Sequence, residues 1–88
     1  MRISEDYVYQ EIADEVIVVP VGQAAEKNKG IIKLNPSGAF LWRIMSVKNV
    51  SKEDLVQELM KEEGIDLLTA QMDVDKYIGQ LMSFGCIE

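Results

Sequence analysis

The chain has 88 residues, 48% of them hydrophobic, with 15 acids against nine bases and a formal net charge of −6. That length supports one small hydrophobic core over residues 1–88 and excludes a second catalytic lobe or a deep active-site cleft. A single cysteine excludes an intrachain disulfide framework, and the lack of histidine excludes a zinc site of ordinary Cys/His composition, so neither a metal nor a cofactor is expected.

Residues 7–12 and 16–21 are rich in β-branched and aromatic side chains, and Ala13, Asp14 and Glu15 between them suit a tight reversal. They read as a β-hairpin, and Pro20 marks an edge or terminal position in its second strand. Residues 22–29 are polar, flanked by glycines, and read as a connection, the longest gap between elements; residues 30–34 follow as a third short strand.

Asn35 is a favoured helix N-cap, and Pro36 suits the first helical position, where a missing N–H costs nothing. The first long helix is expected over residues 36–45, with Phe40, Leu41, Ile44 and Met45 on its apolar face and Trp42 packed towards the sheet. Ser51 with Asp54 is a capping-box variant that opens a second helix, which buries Leu55, Val56, Leu59 and Met60 and ends at Gly64. A third helix spans residues 66–84, with Leu67, Ala70, Val74, Ile78 and Leu81 within about 40° of one direction and Gly85 as its C-cap. The order predicts an α+β fold resembling a winged helix-turn-helix: a three-stranded antiparallel sheet followed by three helices.

Chemistry is sparse. Glu58, Glu62 and Glu63 belong to a solvated face, Ser37 and Ser46 lack an evident general base, and the six glycines are too dispersed for a phosphate loop. Cys86 reads as a small apolar filler, and Met45, Met60, Met72 and Met82 as core or semi-core fill, with Met72 outside the apolar stripe of its helix. No enzyme activity is expected. The longest apolar stretch, residues 16–21, is too short to span a bilayer, and the first six residues are not a signal peptide, so a cytoplasmic protein off the membrane is expected. The more informative surface is one flank of the third helix. Asp73, Tyr77, Gln80 and Phe84 lie between about −60° and −120° from Val74, beside Ile31, Ile32, Lys33 and Leu34 as a prospective sheet edge that a partner strand could join.

The pattern Leu34-Asn35-x-x-Gly38-Ala39-x-x-Trp42, a following helix, then Asp73-Val74-x-x-Tyr77-Ile78 and Gly85-x-Ile87 resembles the PqqD family. The resemblance spans residues 16–87. It implies a small winged-helix module, not a catalyst, that recognises the leader segment of a ribosomally made precursor peptide. Such a module presents the peptide to a modifying enzyme, often a radical-SAM enzyme. It further implies that the leader adds as a strand to the third β-strand and lies against the third helix, which here selects Ile31, Ile32, Lys33, Leu34, Asp73, Lys76, Tyr77 and Gln80. Pyrroloquinoline quinone production does not follow, since PqqD-like modules serve unrelated peptides.

Two alternatives compete with that reading. A winged-helix DNA-binding regulator fits the fold, but residues 51–64 carry five acids against two bases and residues 66–85 three acids against one base, which opposes contact with nucleic acid phosphates. A structural subunit would use the same strip as a homodimer contact.

Overall fold

The computed structural model describes residues 1–28 and 30–88. In chain order the elements are β1 (Tyr7–Ile12), β2 (Glu15–Pro20), α1 (Gly22–Lys27), β3 (Ile32–Leu34), α2 (Pro36–Val47), α3 (Lys52–Glu63) and α4 (Leu67–Phe84). The strands form one antiparallel sheet in the order β1-β2-β3, so β2 is central and Pro20 closes it at its end. Ile12 opposes Glu15, which leaves Ala13 and Asp14 as a two-residue turn. Ala13 takes a φ of 56°, the left-handed conformation that tight hairpin turns demand and that a side chain makes costly.

The ladder has a definite phase. The Val21 N–H donates to the Asp6 carbonyl at 2.7 Å, and opposite residues in an antiparallel pair alternate between exchanging both backbone bonds and exchanging none. Counting from that bond, Glu15, Ile17 and Val19 direct their backbone groups to β1, whereas Val16 and Val18 direct theirs to β3. Their partners in β3 are Leu34 and Ile32. Lys33, between them, therefore turns its N–H and C=O away from the sheet. The same count aims the missing N–H of Pro20 away from β1 and beyond the last β3 pair, where no ladder bond is lost.

One expectation fails in the connection after β2. Residues 22–27 form α1, built from the good helix formers Gln23, Ala24, Ala25, Glu26 and Lys27. Six residues are too few to hold a helix by propensity alone. Tertiary contacts hold it: Ala24 packs against the core, and the Asn28 amide donates to the Tyr7 hydroxyl and to the Phe84 carbonyl, both at 3.0 Å. Among the described residues this short helix adds to the three that follow the sheet as expected. Lys29, the last residue of the expected connection, lies outside the described residues, and β3 begins at Ile32 instead of residue 30.

The helix boundaries follow their caps. Asn35 Oδ1 accepts from the Gly38 N–H at 2.7 Å, Ser51 and Asp54 complete a reciprocal capping box, and Asp66 accepts from the Thr69 N–H. The Ser51 backbone and hydroxyl hold Asp54, and the Thr69 hydroxyl followed by its backbone N–H holds Asp66, below the usual carboxylate range. Gly64 and Gly85 end α3 and α4 at φ values of 65° and 82°.

The buried stripe of α2 is Gly38, Leu41, Trp42 and Met45, with Ala39 beside it, while Phe40 and Ile44 are only half-buried. Trp42 is 2% exposed. In α4 the buried set is Ala70, Val74, Tyr77 and Leu81; Ile78 is half-buried and Leu67 is exposed. The core direction is thus turned about 30° towards Tyr77 from the expected one, taking 100° per residue. Met82, expected as fill, is exposed like Met72. Cys86 is fully buried just beyond α4, where the chain end pairs with its beginning through Ile3 and Ile87.

Candidate functional site

β3 has no strand on its outer side among the described residues, and α4 stands across from that free edge. Ile32 and Leu34 point into the core, whereas Ile31 and Lys33 point to the other face and are exposed. A cavity of about 360 Å³ opens between the edge and the helix. Its floor is Leu34, Gly38, Leu41, Leu59 and Tyr77, and its rim carries Lys33, Asn35, Ser37, Asp73, Lys76 and Gln80. A second cavity of about 500 Å³ continues along Ile31, Ile32, Lys33, Gln80, Ser83 and Phe84, so Gln80 and Lys33 border both.

Tyr77 holds the walls together. Its hydroxyl donates to the Gly38 carbonyl at 2.8 Å, tying α4 to the first turn of α2. Tyr77, expected on the flank of the core stripe, is 8% exposed and forms part of the floor. Burial, with the Cys86 thiol next in weight, pushes its phenol well above the ordinary tyrosine range, so it remains a neutral donor. Gly38 is required by close approach: a Cβ there would lie 3.1 Å from both Asn35 Oδ1 and Tyr77 Cε1.

Lys33 and Glu15 form an ion pair at 2.8 Å across the β2/β3 ladder on the solvent face. Ser37 donates to the Glu63 carboxylate, so its hydroxyl is engaged, and Ser46 donates back to the Trp42 carbonyl at 2.8 Å. Burial pushes the Cys86 thiol up to about 12, which leaves it protonated and unreactive at neutral pH. Among the described residues no cluster of Cys, Asp and Glu could hold a metal ion, and no helix is long and apolar enough to cross a membrane.

All eight residues singled out in the sequence lie along these two cavities, with Tyr77 as floor instead of rim. Leu41 and Leu59 also line the groove but carry only a core signal in the sequence. Gly38 does carry a signal: a glycine in a first helical turn, where helix propensity argues against it, marks close backbone approach.

The family model for coenzyme PQQ synthesis protein D (PqqD) matches residues 15–87, which takes in everything from β2 onward. The chain belongs to the PqqD family. Among solved structures, this PqqD-family chain is similar to TbiB1, determined in complex with the TbiA(beta) leader peptide. The TM-score is 0.79 at 23% sequence identity, covering 100% of this chain and 95% of that one. That likeness establishes the α+β fold of a three-stranded antiparallel sheet with helices. No curated protein matches the chain.

Proposed function

We propose that this PqqD-family chain is a one-domain recognition module. It takes up the leader segment of a ribosomally synthesised precursor peptide as a strand along β3 and presents the peptide to a modifying enzyme. The observation that carries the reading is the juxtaposition of an open strand edge with an apolar-floored groove. The outward N–H and C=O of Lys33 offer main-chain pairing, and the cavities against α4 offer pockets for alternate side chains. Membership of the PqqD family and the likeness to a protein solved with a leader peptide support it.

On this reading the peptide contacts Ile31, Ile32, Lys33 and Leu34 on one side and Asp73, Lys76, Tyr77 and Gln80 on the other. The chain supplies binding and position, and the chemistry belongs to a separate enzyme in the cytoplasm, a radical-SAM enzyme by family precedent. NMR titration of the labelled protein with the leader of a precursor encoded nearby tests the site. Amide shifts should cluster at residues 31–34 and 73–80; shifts confined to α3 or the β1/β2 hairpin would overturn the assignment.

A further inference from the structure

Granting strand addition at β3, on which this inference rests, the ladder phase fixes which peptide side chain meets which part of the wall. A peptide residue opposite Lys33 shares its face of the sheet, in a parallel or an antiparallel arrangement. Its two neighbours point to the other face. One enters the cavity floored by Leu41, Leu59 and Tyr77 beside Leu34, and the other enters the cavity beside Ile32 that is bounded by Phe84. Both are positions for apolar side chains.

The central position has a different character. Lys33 is 66% exposed and engages Glu15 on its β2 side, while its other flank borders the open edge. Directly opposite residues have Cβ atoms about 4.5–5.5 Å apart, within reach of a side-chain ion pair. In the first cavity Lys76 and Asp73 offset one another, so the charge that sets the central position apart is that of Lys33 on the opposite face of the sheet. From these placements we infer that the site selects an apolar-acidic-apolar tripeptide. The Asp or Glu lies opposite Lys33, and the flanking side chains fill the two cavities. Lys33 is then a specificity-determining residue, held between the Glu15 carboxylate of its own sheet and the carboxylate of the peptide.

The test is selection from a displayed library of random dodecapeptides on the full chain and on the double variant Glu15→Lys/Lys33→Glu, which reverses the charge while keeping the β2/β3 ion pair. The native chain should enrich an acid between two apolar residues, and the double variant a Lys or Arg there. In synthetic peptides made from the winners, exchanging the central acid for Lys should weaken binding about three- to ten-fold to the native chain and strengthen it to the double variant. Lys33→Gln, which needs no charge reversal to fold, should bind acid-centred and neutral-centred peptides equally. Peptides that shift residues 31–34 and 73–80 yet show no central charge preference would overturn the charge rule and leave strand addition standing. If no recovered peptide shifts those residues, strand addition at β3 falls, and this inference with it.

Discussion

β1 and β3 both border the sheet, and each has a cavity between it and a helix, yet the two sides are built from different chemistry. Beside β1 the space against α2 is crossed by a polar tether: Arg43 donates to the Tyr9 hydroxyl at 3.1 Å, and that hydroxyl donates to Glu11 at 3.0 Å. Glu11, Asp14 and Glu15 line the same space. Beside β3 the floor is Leu34, Leu41, Leu59 and Tyr77, with charge kept to the rim. Unpaired backbone groups are common to both edges, but the space near β1, although Val16, Leu34, Pro36 and Ala39 also line it, sits under the hairpin end and is bridged by the Arg43–Tyr9–Glu11 tether, whereas the one beside β3 opens along the strand edge. Charged side chains blunt an edge against pairing, whereas an apolar groove beside it turns the edge into a receptor.

The largest effect should come from the scaffold beneath both edges. Trp42→Ala removes a ring that is 2% exposed and should cost about 3–5 kcal/mol, close to the whole stability of so small a domain. Loss of the cooperative urea transition is the expected result; a midpoint near that of the parent would mean that the indole is not part of the packed core. Next come the two tyrosines that distinguish the edges. Tyr77→Phe removes the bond that ties α4 to the Gly38 carbonyl, which keeps its helical partner, and should cost about 0.5–1.5 kcal/mol, whereas Tyr9→Phe, at the more exposed tether, should stay within about 0.5 kcal/mol by the same urea titration.

A sharper contrast uses proline at outward-facing backbone positions of each edge. Lys33→Pro should weaken leader binding about ten-fold, since it deletes the open N–H, while Glu11→Pro on β1 should leave binding unchanged; isothermal titration reads both. Ile32→Pro is a different experiment, because that N–H faces β2 and its loss weakens the sheet itself. The smallest effect is in alkali. The raised thiol of Cys86 and the raised phenol of Tyr77 keep their protons in the folded state longer than in the unfolded chain. Their contribution is therefore complete below the ordinary thiol value of 9.0 and declines as pH climbs from there towards about 12. Thermal unfolding followed from pH 8 to 10.5 should show a falling midpoint with the onset near 9; a flat profile would argue that neither group is desolvated.

Local signals were readable in the sequence and long-range ones were not. Asn35, Ser51, Asp66, Gly64 and Gly85 act through bonds to residues three or four positions away, so each helix end is legible from its own neighbourhood. α1 is not, because six residues that begin with a glycine and stop before an asparagine owe their helix to Tyr7 and Phe84, far off in the chain. The depth of Tyr77 was illegible for a related reason. Periodicity defines a stripe only to within tens of degrees, and the choice between floor and rim was made by a hydrogen-bond partner on another helix. The residues along the groove could be named, but the phase of β3 could not. That Lys33 is the position facing outward depends on the β1/β2 register and on the bond between Val21 and Asp6.

The bond from Tyr77 to Gly38 also bears on where the entropy of recognition is spent. It ties the two helical walls together, with a Cβ at Gly38 only 3.1 Å from Asn35 Oδ1 and Tyr77 Cε1, so on the proposed reading the groove is preorganised and loses little freedom when it is filled. The ordering cost then falls on the peptide, a flexible chain that must become a strand. Affinity should accordingly respond more to the stiffness of the ligand than to that of the protein. A leader segment held extended by a cyclic constraint should bind more tightly than its linear counterpart with the same side chains, and the gain should appear in the entropy of binding.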